Sequence, residues 1–395
     1  MAPSLKPVVS SPAMAGVVQH VAAPDLIDVR IGQAQPELLP AALLAATGTP
    51  ITWGPTLLMY GANQGAAPLI SAIADRAEVL EGNRPRDEQI CVTAGASHGL
   101  ELLCATLSRP GDAVLVESPT YGLALRIFAD HGLTVIAIPD DGWGNQATID
   151  HIVSEAERSG HPVRLAYVMP TFRNPTGGSI SAVGRRQLLR FAERYGFTII
   201  EDDVYRELSY DGPAPEPLQN PSRANDAVIR LGSFSKVIGP GMRTGWMVAS
   251  DRFVAGIARR GIFESGGGVA HFAGLHLADL MSSGGYARHV DGLCGAYRAR
   301  RDAFVAAFGE SDRGCQLVVP GGGMFVWIAL PTHCREASVV DEVASRGVAV
   351  APGRAFYRTD GESPAPAVRV AFCGHSPDVM AEVGCRLGAA VEAAA

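Results

Sequence analysis

The chain has 395 residues, 47% of them hydrophobic and 18% charged. That balance describes a packed globule, excludes a disordered chain, and at this length calls for more than one core. Thirty-three basic against 40 acidic residues give a net charge of −7 without a basic run, which excludes neither fold nor chemistry but argues against nucleic acid or an anionic membrane as partner.

No apolar stretch reaches the roughly 18 residues of a membrane helix. The opening Met1–Gly16 is broken by prolines and does not read as a signal peptide. Seven scattered cysteines without a C-x-x-C pair fit reduced thiols, and hence a cytoplasmic protein, rather than a disulfide framework or a zinc site. The histidines show no metal-ligand spacing, so no metal is expected; His271 and His276, five apart, read as structural. Only two residues are lysine, Lys6 and Lys236, which singles out the internal one.

From about residue 70 to 250, short β-branched runs alternate with amphipathic stretches. Strands are expected at Ile90–Thr93, Ala113–Glu117, Thr134–Ile138, Arg164–Met169, Phe197–Glu201, Ala227–Gly232 and Trp246–Ala249. Helices are expected at Gly99–Leu107, Gly122–Asp130, Ile149–Glu157 and Val183–Tyr195, and Gly/Pro-rich 211–223 reads as a loop. Nearly all-apolar strands in a βαβα rhythm predict an α/β fold, a mostly parallel sheet covered by helices on both faces.

After 250 the texture changes to α+β with antiparallel character. A long helix over Tyr286–Phe308 is followed by strands near 316–319 and 324–330, a helix at 336–345, strands at 348–351 and 367–372, and a last helix from 376. The expected division is a large domain over 51–285 and a small domain over 286–395, on which the N-terminal segment 1–50 packs.

Gly95-Ala96-Ser97-His98-Gly99 satisfies G-x-S-x-G between a strand and a helix, which admits a serine hydrolase with Ser97 as nucleophile. The upstream oxyanion loop that this chemistry needs is missing. A dinucleotide site ending on Glu117 is a weaker reading, because the glycine spacing is wrong. Both rest on the same physics, a helix start of small residues whose free amides suit a phosphate.

Gly232-Ser233-Phe234-Ser235-Lys236 and Pro240-Gly241-Met242-Arg243-Thr244-Gly245-Trp246 place a lysine after a buried strand, among hydroxyls and near an arginine. A desolvated lysine beside cations has a lowered pKa and forms Schiff bases, while Ser233, Ser235 and Arg243 suit a phosphate. Asn174-Pro175-Thr176-Gly177 and Glu201-Asp202-Asp203-Val204-Tyr205 also follow strands, at the edge where open α/β sheets bind ligands. Three acids at a strand end also read as a helix cap or a surface turn. An aspartate facing a pyridine nitrogen keeps it protonated, which pyridoxal phosphate requires.

S-x-S-K with P-G-x-R-x-G-W, N-P-T-G and D-x-x-Y, in this order, resemble the fold-type I pyridoxal-phosphate enzymes of the class I/II aminotransferase group. The pattern is nearest to the 2-aminoadipate and kynurenine aminotransferase-like branch and covers roughly residues 25–385. The resemblance implies an aminotransferase moving an amino group between an L-amino acid and a 2-oxo acid, with Lys236 as the Schiff-base lysine. It implies Asp202 on the pyridine nitrogen, Tyr205 and Asn174 on the ring hydroxyl, and Tyr121 stacked on the ring. Gly95, Ala96 and Ser97, with Ser233, Ser235 and Arg243, then hold the phosphate. Tyr60 reaches the partner subunit's phosphate, implying a homodimer with shared sites. Arg369 takes the substrate α-carboxylate, and Gly32 lies in a segment that closes over the substrate.

The same apparatus serves relatives that eliminate or replace a γ-substituent, as on S-adenosylmethionine, so that chemistry stands as the alternative. Three departures stand out. Arg173 precedes Asn174 where relatives carry an uncharged residue, and it suits either an acidic substrate group or a surface carboxylate. His98 replaces a usual glutamine, and Glu264-Ser265-Gly266-Gly267-Gly268 is unusually rich in glycine. Gly321–Phe325 reads as a structural strand entrance.

Overall fold

The computed structural model describes residues 26–47, 55–139, 142–220, 227–309, 314–357 and 365–394. The chain enters through a two-residue strand, β1 (Ile27–Asp28), and then builds a seven-stranded sheet from β2 (Ile90–Thr93), β3 (Ala113–Glu117), β4 (Thr134–Ile138), β5 (Val163–Val168), β6 (Thr198–Asp202), β7 (Val228–Ser233) and β8 (Gly245–Val248). The order is β2-β8-β7-β6-β5-β3-β4, with only β8 antiparallel to its neighbours. Parallel strands covered on both faces must be apolar on both, and alternate residues enter two cores. Val114, Val116, Tyr167, Ile200 and Leu231 face one core, whereas Leu115, Ala166, Val168 and Ile199 face the other.

From β3 the chain steps outward to β4 and then returns to the other side of β3 as β5. Such a reversal opens a crevice at the carboxyl ends of the strands. The loops after β3, β5, β6 and β7 therefore converge there.

A four-stranded sheet contains β9 (Gln316–Leu317), β10 (Phe325–Ala329), β12 (Ala351–Pro352) and β13 (Ala367–Ala371), in the order β12-β13-β10-β9 and antiparallel throughout. The short strand β11 (Val348–Ala349) pairs in parallel with β1, which fastens the start of the described chain to this unit. The expected strand 348–351 is thus two strands serving two sheets. The long helix Gly285–Gly309 packs along Pro377–Ala394, with Gly384 so near Phe304 that an added Cβ would lie 2.8 Å from its carbonyl oxygen.

The expected elements otherwise appear within a few residues; two helices start three residues earlier than expected, Gln146–Arg158 and the helix after β2. The latter runs over Ala96–Leu107 and begins three residues before the apolar periodicity does. Gly95, at φ 93°, makes the turn into it. No described helix is long and apolar enough to cross a membrane.

Candidate active site

Lys236 owes its place to the turn that carries it. β7 ends at Ser233, whose Oγ accepts the Ser235 N–H at 3.1 Å and so caps the single turn Phe234–Lys236. Phe234 is wholly buried against Trp246 and Tyr286, 4.9 and 5.9 Å between ring centroids, which pins the turn and leaves Lys236 on the cavity wall. Its Nζ donates to the Gly32 carbonyl at 3.3 Å. Burial lowers its pKa from the ordinary lysine range, and Arg369 and Arg243 add to that.

On the neighbouring strand the three acids separate. Asp202 faces the cavity. Glu201 accepts the Leu218 and Gln219 N–H groups, each at 2.8 Å, and tethers the following loop. Asp203 pairs with Arg206 at 2.9 Å. All three are buried, so the surface-turn reading fails. Asp202 Oδ2 accepts from the Tyr167 hydroxyl at 2.5 Å, while the buried Oδ1 has no hydrogen-bond partner among the described residues. Burial pushes the Asp202 carboxyl up to about 6.

The loop after β5 brings Asn174 to the same cavity through a cis Asn174–Pro175 bond. Its Oδ1 accepts from Arg369 Nη1 at 2.6 Å, which leaves the amide hydrogens for another acceptor. Arg369 stands on β13 with its guanidinium 4.2 and 4.5 Å from the ring centroids of Phe325 and Phe356. Nη2 donates to the Arg30 carbonyl, and Nε is buried without a partner among the described residues. Burial brings its pKa down to about 10, which leaves it charged at neutral pH. A buried cation whose partners are neutral calls for an anion.

At the other end, the first turn of Ala96–Leu107 opens toward Arg243. That residue, at φ 46°, is held by the carbonyls of Pro240 and Ala94, each at 3.1 Å. An added Cβ on Gly95 would come within 3.1 Å of the same guanidinium, and one on Gly245 within 2.9 Å of the Gly95 Cα. Ala96, Ser97, Ser233 and Ser235 join Arg243 along this wall. Tyr121 and Tyr205 line the middle, Tyr205 with its ring edge-on to Phe325 at 5.7 Å. Burial raises both phenols, Tyr121 to about 12. The cavity measures about 630 Å³.

Gly32 lies over this assembly, where an added Cβ would strike the Phe325 ring at 2.4 Å. Tyr60 does not join it; it is 85% exposed, beside exposed Leu58 and Met59.

The departures have local causes. Arg173 pairs with buried Glu117 at 3.1 Å, and Glu117 also accepts the Met169 N–H, so its partner is a carboxylate of the interior and not of the surface. His98 Nδ1 accepts the Ala94 N–H, which takes it out of a serine–histidine pair with Ser97. Gly267 and Gly268 press on the chain beside Tyr60, where added Cβ atoms would lie 2.5 Å from the Gly61 oxygen and 2.3 Å from the Ala62 oxygen.

Tyr167, Phe325 and Phe356 escaped the sequence reading. Only Tyr167 left a signal there, a phenol in a strand whose other residues beyond Arg164 are apolar, which needs a partner for its hydroxyl.

Pyridoxal phosphate fits these groups: an unsatisfied aspartate oxygen for a ring nitrogen, a lysine for the aldehyde, and an arginine with a helix start for the phosphate. Comparison with known proteins agrees. Residues 24–387 match the family model of aminotransferase class I and II. Aromatic-amino-acid aminotransferase 1 of Thermococcus litoralis is 31% identical over 340 residues, covering 84% of this chain and 80% of the relative. The multiple substrate aminotransferase of Thermococcus profundus superposes with a TM-score of 0.87 at 27% identity, over 98% of this chain and 96% of its own. The kynurenine aminotransferase of Pyrococcus horikoshii, solved in complex with PMP, gives 0.84 at 27% identity over 95% and 96%. The chain belongs to the class I and II aminotransferases and is a pyridoxal-phosphate-dependent aminotransferase of fold type I.

Proposed function

We propose that Lys236, Asp202 and Arg369 carry the transfer of an amino group from an L-amino acid with a neutral, apolar or aromatic side chain to a 2-oxo acid. The observation that carries this is the convergence of Lys236 and the unsatisfied Asp202 Oδ1 on one cavity from the ends of neighbouring strands. Pyridoxal phosphate, when bound, supplies an electrophilic aldehyde and a protonated ring that accepts the electron pair leaving the substrate Cα.

Everything else falls to the protein. Asp202 Oδ1 would hold the ring nitrogen, Tyr121 the ring face, and Tyr205 with the Asn174 amide the ring hydroxyl. Ser97, Ser233, Ser235, Arg243 and the amides following Gly95 would hold the phosphate. Arg369 takes the α-carboxylate as a forked pair and aims the Cα–H bond at Lys236. With its pKa lowered, Lys236 Nζ would remove that proton and later give one back, work worth ~10²–10⁴-fold. Gly32 and its neighbours exclude water from above.

The side-chain preference follows from the charge accounting. Arg243 serves the phosphate and Arg369 the α-carboxylate, while Arg173 is paired with Glu117 and Arg30 with Asp28. Leu100, Leu123, Ile127 and Met169 add apolar wall.

The exposed Leu58, Met59 and Tyr60, with Ile262 also exposed at 63%, support a homodimer in which Tyr60 completes the partner's phosphate site. The free cysteines suit a reducing compartment, the cytoplasm.

Borohydride reduction of the loaded protein followed by peptide mapping tests the assignment, with the adduct expected on Lys236. A panel of amino donors, followed through the change in cofactor absorbance, tests the preference; faster reaction with acidic donors would refute it. Mixing inactive Lys236→Ala and Tyr60→Ala protomers regenerates activity if sites are shared, because one intact site forms per mixed dimer.

A further inference from the structure

The two oxygens of Asp202 have different fates. Oδ2 is taken by the Tyr167 hydroxyl at 2.5 Å, and Oδ1 is buried without a partner among the described residues. Tyr167 is wholly buried on β5, where it pairs in register with Ile200 of β6. Ile200 and Asp202 share a face of their strand, so the phenol reaches two residues toward the carboxyl edge to meet the aspartate. Its ring meets Phe128 edge-on, 5.5 Å between centroids at 69°. Phe128 belongs to the helix Gly122–Asp130, which starts beside Tyr121. One side chain therefore links the element proposed to cover the ring face with the carboxylate proposed to hold the ring nitrogen.

We infer that Tyr167 is a positioning residue for Asp202: its hydroxyl occupies one carboxylate oxygen, turns the other into the cavity, and keeps the carboxylate charged for the cofactor's ring nitrogen. This rests on the reading of Asp202 given above and extends it to a residue with no cofactor contact of its own.

The direction of the bond is fixed. Burial, with the neighbouring Asp202 carboxylate, raises the Tyr167 phenol well above its usual range, so it stays a donor. Burial drives Asp202 toward its neutral form, and the Tyr167 hydrogen bond is the largest influence opposing that, ahead of the Lys236 charge. A short O–H···O⁻ bond is among the stronger hydrogen bonds available in a protein interior. Phenylalanine would fill the same space against Phe128, so packing does not account for the hydroxyl.

The test is Tyr167→Phe, made alone and in an Asp202→Asn background. Cofactor affinity is measured by titrating the cofactor-free protein and following visible absorbance; melting of the same samples checks the fold. Alone, Tyr167→Phe weakens cofactor binding about tenfold, the effect of one hydrogen bond to a charged group. It also moves the pH midpoint of the bound cofactor's band upward, because a less positive ring makes the nitrogen from Lys236 more basic. In the Asp202→Asn background the further loss is under twofold, since the effect runs through the carboxylate.

Equal losses in both backgrounds, or no loss in either, would overturn the inference. Asp202→Asn leaving cofactor affinity unchanged would instead remove the reading of Asp202 itself, and this inference with it. If Tyr167→Phe fails to fold, 3-fluorotyrosine at position 167, a stronger donor of the same shape, lowers the midpoint; an unmoved midpoint refutes the role.

Discussion

Asn174 Oδ1 accepts the Arg369 Nη1–H at 2.6 Å, joining the loop after β5 to strand β13 across 195 positions of sequence. The amide, itself on the cavity wall, thus orients a buried arginine of the four-stranded sheet, and it does so before any substrate arrives. Arg369→Gln removes a forked, charge-assisted pair, so kcat/KM for amino donors falls by ~10²–10³-fold. Cofactor affinity and spectrum stay as in the wild type. Arg369→Lys restores only a small part, because an ammonium cannot reproduce the fork. Parallel loss of cofactor binding would show that Arg369 serves the cofactor and not the carboxylate.

Lys236→Ala removes both the attachment point and the base. The variant folds, gives no borohydride-stable adduct, and turns over at least ~10²–10⁴-fold more slowly. Turnover retained without an added amine would contradict the role of this residue.

Asp202 sets a trade between stability and function that pH exposes. Its folded pKa of about 6 lies above the ordinary value of 3.8, so the native state holds the proton more tightly than the unfolded chain. The favourable contribution is present below pH 4 and is lost as pH rises through 6. Cofactor-free Asp202→Asn is therefore more stable than wild type by about 2–3 kcal/mol at pH 8, and by roughly half of that at pH 5. Denaturant melts at the two values measure it; an advantage independent of pH would mean that the carboxylate is buried at no cost.

Arg173 and Glu117 form an interior pair. Arg173→Gln strands a buried carboxylate and destabilises the protein by about 3 kcal/mol. The ratio of acidic to neutral donor rates stays within about twofold. A shift of that ratio toward neutral donors would return Arg173 to the substrate site.

Legibility from sequence followed the kind of force involved. Buried parallel strands announce themselves because both faces must be apolar, and β3 appears at its expected residues; so does the half-buried edge strand β4, through its β-branched run. The helix after β2 was placed three residues late because Ala96-Ser97-His98 carry no apolar period; a backbone turn at Gly95 sets that start. Groups that act through their own chemistry, such as Lys236 and Asp202, stood out against their surroundings. Phe325 and Phe356 did not, since a phenylalanine flanking a guanidinium reads like any core residue until the chain brings Arg369 between them. Glu117, at the end of an apolar strand, gave no sign of the Arg173 partner 56 positions away.

The carboxyl edge of the large sheet holds the loops that the chemistry uses, so the amino edge is left to other purposes. There β3 and β5 are entered through turns containing Gly111 and Gly160, both at positive φ and with open space where a side chain would project. A grafted epitope or a dye at either turn reports on this enzyme from behind its sheet while the reaction proceeds undisturbed in front.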